Sequence, residues 1–450
     1  MKFSVLWVIL NFLFLWAWDV NSVQGALPSR LIIAADGIAY EDMKKAEDQG
    51  CFSGFFPVSQ NISTFPSIST TAWADIFKTR PPKGYQQSHF SHAINKNIGG
   101  AMADAIEPSD YKYWMDFAYH RISEEIFSYV FPVYYSEKEI EDMVDQFLIS
   151  NQTGSFYAYL LGGDVFAHEG LSMNKYLCDF LGENLKRLKE RYYKSTGKDL
   201  EIAIVSDHGN NHAKTGHIIK FEKHLNKNGY ALKRKLAQEN DVAITVGGVV
   251  GYVGVHTFKN KIDSLVSSFR GLDGVGLVTY IKTEKNSTVV YVENTNGEKA
   301  KILHQRSSNR YGYFPITGDP LEYRKTINKL RENNKIDNQG YVSSNDWIEF
   351  TKSHFYPHAP ERIFRAHTDV VLNPAPIILS AKDGYVFAFG LMSFLGNLSE
   401  FGSTHGSLTL GSSNGIVMSN YVKTQDTDTS GVYDMLELTE LKRKTNPFVK

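Results

Sequence analysis

The chain reads LEIAIVSDHG over residues 200–209, a short apolar run that is closed by Asp207, His208 and a glycine. Two other segments share this form, RLIIAADG at residues 30–37 and SFYAYLLGGD at residues 155–164. Each apolar run has the length and the β-branched or aromatic content of a buried strand. Because an aspartate follows each run, we interpret the three segments as strands that end at one edge of a sheet.

A helical pattern separates the second of these strands from the third. Apolar residues recur at helical spacing between residues 176 and 188, with lysine and glutamate between them. A strand, a helix and a second strand in this order form a crossover that makes the two strands parallel. The sequence therefore predicts an α/β fold with a central, mostly parallel sheet that is flanked by helices.

The aspartates Asp36, Asp164 and Asp207 stand at the carboxyl ends of the predicted strands, where open α/β sheets bind ligands. His168 follows Asp164 by four residues, and His208 is adjacent to Asp207. Carboxylate and imidazole groups are the mixed donors that zinc accepts at about 2.0–2.2 Å. The pattern indicates a metal centre, although a capping aspartate and an unrelated histidine would give the same spacing at Asp164.

Two further segments contain residues whose chemistry the pattern leaves open. His405 lies in STHGS, residues 403–407, and an isolated loop histidine is ordinarily structural. The segment ISTFPSISTT, residues 62–71, is rich in hydroxyl groups. A serine or threonine hydroxyl becomes a good nucleophile only beside a base or a metal ion, so residue chemistry alone does not choose among them.

Length and composition limit the class of protein. The 450 residues are 42% hydrophobic, which is enough for a large core and excludes a disordered chain. The formal net charge is -1 and no basic stripe is present, so we expect no nucleic acid as a specific partner. Residues from about 263 to 340 contain short alternating segments with Asn- and Gly-containing turns, which predicts a small β-rich insertion.

The first 25 residues are typical of a secretory signal peptide. Lys2 precedes an apolar run from Val5 to Trp18, and we predict cleavage between Gly25 and Ala26. The mature catalytic domain would then comprise residues 26–450 and be secreted or periplasmic. We expect contact with a membrane only if the signal stays uncleaved as an anchor.

The cysteines Cys51 and Cys178 leave two possibilities open. An exported chain permits a disulfide, but pairing cannot be deduced from sequence, so one disulfide and two buried thiols are both compatible with it. Neither cysteine belongs to a CxxC pair, which argues against a redox or thiolate-metal role. Sequons for N-glycosylation occur at Asn61, Asn151, Asn286 and Asn397. They matter only in a eukaryotic host.

Taken in order, these residues resemble the alkaline phosphatase superfamily and, within it, the type I phosphodiesterase/nucleotide pyrophosphatase branch. The shared pattern is Asp-Gly after the first strand, a hydroxyl beside Phe-Pro, Asp-x-x-x-His, Asp-His-Gly and a late His-Gly. All five elements occur in this order between Asp36 and His405. Asn210 follows Asp-His-Gly where many relatives have methionine. No serine or cysteine stands two residues before a proline, which argues against a sulfatase.

The resemblance implies a centre with two divalent metal ions, expected to be zinc. One ion would be held by Asp164, His168 and His405. The other would be held by Asp36, Asp207, His208 and the oxygen of the nucleophile. Relatives with Thr-Phe-Pro-Asn favour Thr64 as the nucleophile, and relatives with Phe-Pro-Ser-x-Thr favour Ser69. We prefer Ser69, because Thr79 to Pro81 then falls where relatives have Thr-Gly before a proline.

The implied activity is hydrolysis of a phosphate monoester or diester through a phosphoserine or phosphothreonine intermediate. A diester is favoured by the branch that the chain resembles and by the lack of an assignable Lys/Arg pair for a terminal phosphate. Two alternatives remain, a phosphoryl or phosphoethanolamine transferase and a non-catalytic relative that retains the metal ions. Ser88 and His89 lie where relatives often have a phosphoryl-binding asparagine, which leaves the substrate contact open.

Overall fold

The computed structural model describes residues 27–86, 88–99, 110–119, 122–213, 217–285, 287–389 and 402–439. The predicted signal peptide and the sequons at Asn286 and Asn397 lie outside these ranges. Within the part of the chain that is described, no helix has both the length and the apolarity needed to cross a bilayer.

The strands of the described residues form two large sheets and two ribbons of two strands. In chain order the strands are β1 (Arg30–Ala35), β2 (Ser59–Ile62), β3 (Ser88–Ser91), β4 (Lys96–Gly99), β5 (Ser155–Leu160), β6 (Glu201–Val205), β7 (His217–Ile218), β8 (Ala231–Leu232), β9 (Asp241–Thr245), β10 (Tyr252–His256), β11 (Val275–Glu284), β12 (Ser287–Asn294), β13 (Lys299–Gln305), β14 (Arg310–Thr317), β15 (Tyr341–Ser343), β16 (Ile377–Ala381), β17 (Tyr385–Val386), β18 (Asn414–Ser419) and β19 (Thr427–Asp428).

The helices lie between these strands and cover both large sheets. In chain order the α-helices are α1 (Tyr40–Asp48), α2 (Ser69–Ile76), α3 (Ile122–Val130), α4 (Pro132–Ile149), α5 (Gly162–His168), α6 (Glu183–Thr196), α7 (Phe221–Lys227), α8 (Ile262–Ser268), α9 (Arg324–Glu332), α10 (Ser344–Thr351), α11 (Ala359–Ala366), α12 (Leu410–Ser413) and α13 (Thr429–Met435). A π-helical stretch, Lys175–Gly182, leads directly into α6.

The first large sheet has the strand order β19-β2-β18-β6-β1-β5. Strand β1 lies between β5 and β6 and is parallel to both. Strand β18 is antiparallel to its two neighbours, β6 and β2. The sheet is therefore mostly parallel, as the sequence predicts.

Both faces of this sheet are buried, which explains why β1 is continuously apolar from Leu31 to Ala35 rather than alternating. Leu31 and Ile33 face a core that includes residues of α4 and α6. Ile32 and Ala34 face the opposite core, which includes Trp73 of α2 and residues of α13. The helical pattern between residues 176 and 188 packs on the first of these faces.

The second large sheet has nine strands in the order β15-β14-β13-β12-β11-β16-β10-β9-β8. Strands β11 to β14 come from the region predicted as a β-rich insertion, but the sheet also takes strands from residues 231–256 and 341–381. Strand β16 pairs with both β10 and β11, so the chain returns through the middle of this sheet. Helices α9 to α11 pack on one face, and α7 and α8 pack on the other.

Cys51 and Cys178 form a disulfide. The bond connects the turn after α1 to the π-helical stretch before α6, across 127 positions of the sequence. It resolves the choice between a disulfide and two thiols, and disulfides of this kind persist in oxidising compartments.

Asn61 lies in β2, between β18 and β19. Its side chain is fully buried, and its amide donates to the backbone carbonyl of Ser206 at 2.8 Å. The asparagine of this sequon is therefore part of the packing of the sheet. Asn151, in contrast, is exposed.

Candidate metal centre

The carboxyl ends of β1, β5 and β6 bring the three aspartates to one edge of the first sheet. Asp36 follows β1 directly, Asp207 follows β6 after one serine, and Asp164 lies in α5, which begins just after β5. All three side chains are buried. The six residues that the sequence singles out form two groups, in each of which the potential ligand atoms lie within 4.8 Å of one another. These groups are Asp36 with Asp207 and His208, and Asp164 with His168 and His405.

In the first group the ring of His208 faces both carboxylates with the same nitrogen. Its Nε2 atom lies 3.4 Å from Asp36 Oδ1 and 3.3 Å from Asp207 Oδ2. Its Nδ1 atom lies 2.9 Å from the backbone carbonyl of Gly209. A ring that donates Nδ1–H to a carbonyl leaves the Nε2 lone pair free for a metal ion.

The second group has the same arrangement. The Nε2 atoms of His168 and His405 lie 3.4 Å and 3.9 Å from the two oxygens of Asp164. Their Nδ1 atoms lie 3.1 Å and 2.9 Å from the backbone carbonyls of Ser403 and Ser67. Both imidazoles are thus held by a carbonyl and present Nε2 to the same carboxylate.

The chemistry of the two groups fits divalent cations. Asp164 Oδ1 and Asp207 Oδ2 are buried and have no hydrogen-bond partner among the described residues. Burial and then the charge of Asp164 raise the pKa of Asp36, and burial and then the charge of Asp36 raise that of Asp207. Burial and the nearby His208 lower the pKa of His405 to about 3, so its ring is neutral, as a ligand must be. Clustered buried carboxylates beside imidazoles are a donor set that a cation would stabilise.

Two glycines allow the loops of this site to approach one another. Gly37 has φ +65°, and a Cβ atom there would lie 2.7 Å from both Cβ and Oδ1 of Asp164. Gly209 is likewise needed for close approach, since a Cβ atom there would lie 2.3 Å from the carbonyl oxygen of Gly411. Asn210, found where many relatives have methionine, donates to the carbonyl of Gly37 and fixes this loop against β1.

Ser69 is the first residue of α2, and its hydroxyl reaches the first group. Ser69 Oγ lies 3.2 Å from Asp36 Oδ1 and 3.3 Å from His208 Nε2. The rings of His208 and His405 stack with their centroids 4.0 Å apart, so the two groups adjoin one another.

A cavity of about 410 Å³ opens onto this site, a volume suited to a small molecule. Its wall includes Ser69, Asp36 of the first group and all three residues of the second group. It also includes polar side chains that no sequence motif marks, namely Gln86, Tyr111, Lys112, Tyr129, Tyr159 and Glu169.

Thr64, the second candidate for the nucleophile, does not line this cavity. Its hydroxyl donates to the carbonyl of Pro66 at 3.1 Å and lies 2.9 Å from the hydroxyl of Thr71. The Thr64 hydroxyl therefore takes part in the packing of its own loop.

Tyr159 of β5 touches a candidate ligand directly, since its hydroxyl donates to Asp36 Oδ2 at 2.5 Å. In the sequence it is one aromatic residue in an apolar run and predicts only a core position. No sequence signal distinguishes it from Tyr157 on the same strand, whose hydroxyl contacts Thr439 instead.

Gln86 has its amide oxygen fixed by two donors, the backbone N–H of Gly247 at 3.1 Å and the hydroxyl of Tyr252 at 3.2 Å. Its NH2 group has no acceptor among the described residues, and Gln86 lies on the cavity wall. Ser88 and His89, at the position where relatives often have a phosphoryl-binding asparagine, lie in β3 and do not line the cavity.

A third cluster, made of His358, Glu361 and Asp428, is buried elsewhere. Here the two ring nitrogens of His358 face different carboxylates, with Nε2 3.2 Å from Glu361 and Nδ1 3.5 Å from Asp428. This is the geometry of an imidazole that bridges two carboxylates, and it differs from the single-nitrogen arrangement of the other two groups.

No family model matches the chain, and no curated protein matches its sequence. Solved structures do match. Mouse ectonucleotide pyrophosphatase/phosphodiesterase 5 superposes with a TM-score of 0.51 at 12% identity, covering 93% of this chain and 97% of that chain. The human protein of the same name gives a TM-score of 0.50 at 12% identity with the same coverage.

An inactive threonine-to-alanine variant of the mouse protein, in complex with AMP, also superposes, with a TM-score of 0.50 at 11% identity. At such identities the likeness shows the fold alone. The chain therefore has the alkaline phosphatase-like fold of the nucleotide pyrophosphatase/phosphodiesterase type, which confirms the fold that its motifs predict.

Proposed function

We propose that this protein is an exported, metal-dependent hydrolase of phosphate esters and that its preferred substrates are diesters. The observation that carries the proposal is the position of the Ser69 hydroxyl, which lies 3.2 Å from Asp36 Oδ1 and 3.3 Å from His208 Nε2 and lines the same cavity as the second group. The fold similarity to phosphodiesterases supports the reaction class, and the neighbour in complex with AMP supports a small phosphate ester as ligand. The disulfide supports export, because structural disulfides form and persist mainly in oxidising compartments.

We propose that the two groups hold two divalent cations, with zinc favoured by the mixed oxygen and nitrogen donors. When bound, these ions would supply positive charge that lowers the pKa of the Ser69 hydroxyl and balances the charge of a phosphate. The buried and unpartnered oxygens of Asp164 and Asp207 support this assignment.

The protein's own groups would orient the reacting atoms. The Ser69 hydroxyl donates to Asp36 Oδ1, which directs its lone pairs toward the cavity and gives its proton an acceptor. The first N–H groups of α2 have no acceptor within the helix and favour an anion, so they would bind phosphoryl oxygens. Gln86, whose amide oxygen is already fixed, would donate its NH2 group to the same phosphate.

The reaction would proceed in two steps. The Oγ atom of Ser69 forms a bond to phosphorus while the bond from phosphorus to the leaving alcohol breaks, which gives a phosphoserine ester. Water then attacks phosphorus, breaks the bond to Oγ, restores the hydroxyl and releases the remaining phosphate monoester.

The test compares hydrolysis of bis-nitrophenyl phosphate with that of nitrophenyl phosphate by the zinc-loaded protein. We expect faster hydrolysis of the diester, loss of turnover in Ser69→Ala and retention of about two zinc ions per chain in that variant. Thr64→Ala, which removes a hydroxyl of the same segment outside the cavity, is the matched control and should stay active. Hydrolysis of neither ester, or full activity of Ser69→Ala, would refute the proposal.

A further inference from the structure

Arg362 is a buried cation in α11. The whole residue is only 3% exposed. Among the described residues, no carboxylate forms an ion pair with it. A buried charge without a counter-ion is costly unless hydrogen bonds take the place of water. The partners that Arg362 does have are therefore informative about its role.

The guanidinium of Arg362 joins three separate segments of the chain. Its Nη2 atom donates to the Thr64 carbonyl at 3.1 Å, the Ser67 hydroxyl at 3.0 Å and the Ser413 hydroxyl at 2.7 Å. Its Nη1 atom donates to the Pro357 carbonyl at 2.8 Å and reaches the Leu408 carbonyl at 3.5 Å. These acceptors belong to the loop before α2, the segment after His405 and the turn before α11.

Ser67 connects these contacts to the candidate metal centre. Its carbonyl accepts the Nδ1–H of His405 at 2.9 Å, which orients Nε2 of that ring toward Asp164. Its hydroxyl also donates to the carbonyl of Ser407, in the segment that carries His405. Two residues after Ser67, helix α2 begins with Ser69.

We infer that Arg362 is a positioning residue, which fixes the Ser69 segment and the His405 segment relative to one another. This inference rests on the proposed function for its kinetic consequence. A planar fork with five donors can span three segments, whereas a lysine at this position keeps the charge but offers a single nitrogen.

Arg365 provides a matched control on the same helix. Its guanidinium pairs with the Asp75 carboxylate at 2.6 Å and 3.1 Å, so a lysine there can still form the ion pair. Arg362→Lys and Arg365→Lys are therefore the same chemical change, made once at a three-segment junction and once at an ordinary ion pair.

The experiment measures kcat and KM with bis-nitrophenyl phosphate and, separately, zinc binding to the metal-stripped protein by calorimetry. For Arg362→Lys we expect kcat to fall about 100-fold, since small displacements of reacting groups have effects of that size. We expect KM to change by less than about threefold. One of the two zinc ions should bind about tenfold more weakly, because His405 loses part of its support. Arg365→Lys should resemble the wild type in all three values.

A purely structural role for Arg362 would lower the melting temperature of the folded variant and leave kcat and zinc affinity at wild-type values, and that result would overturn the inference. If Arg362→Lys does not fold, Ser413→Ala removes the 2.7 Å contact with a smaller change and should lower kcat and zinc affinity in the same direction. Unchanged values in folded Ser413→Ala would then overturn the inference. If the wild type hydrolyses neither ester, the proposed function fails, and the zinc titration still tests the positioning role on its own.

Discussion

Replacing Tyr159 by phenylalanine removes one oxygen atom from the candidate metal centre and leaves the ring in place. That ring packs edge-on against Trp73 and Tyr111, so the core keeps its apolar contacts. What is lost is the hydrogen bond of 2.5 Å to Asp36 Oδ2. The carboxylate then has a buried oxygen with no donor, and its orientation toward His208 and Ser69 is less restricted.

The size of the effect follows from two independent considerations. A hydrogen bond to a charged group contributes about 1.5–3 kcal/mol. Loss of a group that supports a metal ligand typically weakens metal binding by about 10-fold to 100-fold, which corresponds to about 1.4–2.7 kcal/mol. Because the two ranges agree, we expect Tyr159→Phe to weaken zinc binding at the group formed by Asp36, Asp207 and His208 by about one to two powers of ten. The other group should change little.

The assay is a calorimetric titration of zinc into the metal-stripped protein with a competing chelator. Tyr157→Phe is the matched control, since it removes a hydroxyl from the same strand that contacts Thr439 and not the site. Wild-type affinity for both ions in Tyr159→Phe, or equal weakening in the two tyrosine variants, would contradict the role assigned to the hydrogen bond between Tyr159 and Asp36.

Two further predictions concern the loops around the site. Gly37→Ala should abolish zinc binding at Asp164, because the new Cβ atom would lie 2.7 Å from that side chain. Gly197 has a similar φ of +69°, but no atom lies within 4 Å of a Cβ atom there, so Gly197→Ala should lower the free energy of unfolding by only about 1 kcal/mol. Zinc stoichiometry and urea unfolding of both variants distinguish these outcomes, and equal behaviour would contradict the steric argument. Burial raises the pKa of Glu139, which accepts the first N–H groups of α5, from 4.5 to about 7. The protonated carboxyl therefore contributes fully to stability below pH 4.5, and this contribution is lost as the pH rises through 7. Between pH 5 and pH 8 the free energy of unfolding of the wild type should fall by up to about 3 kcal/mol more than that of Glu139→Gln. Parallel pH profiles of unfolding for the two proteins would contradict this assignment.

The part of the site that the sequence predicts is the part that depends on short-range pattern. Asp36, Asp164 and Asp207 each follow an apolar run, and parallel pairing brings the ends of such runs to one edge without further information. His168 and His208 are also predicted, because each lies within four residues of one of these aspartates in the sequence. His405 could be added only through the order of motifs shared with the resembled family.

Long-range contacts account for what the sequence could not predict. Tyr159 has the pattern of a core residue, and Arg362 belongs to a helix where arginine is ordinarily exposed. The role of each depends on a partner far away in the chain, Asp36 for the tyrosine and Thr64 for the arginine. The full extent of the second sheet was not predicted for the same reason. Strand β16 pairs with β10 and β11 but lies outside residues 263–340, where the alternating pattern of the sequence predicts strands.

The burial of Asn61 has a practical consequence for producing the protein. A host that glycosylates the sequon would attach its glycan during synthesis, before β2 pairs with β18 and before the amide can reach the Ser206 carbonyl. Molecules modified there could not close the first sheet, and the secreted material would divide into folded and misfolded fractions. Ser63→Ala removes the sequon and deletes only a buried hydroxyl that has no hydrogen-bond partner among the described residues. Expression of that variant in a eukaryotic host would give a homogeneous product at this position.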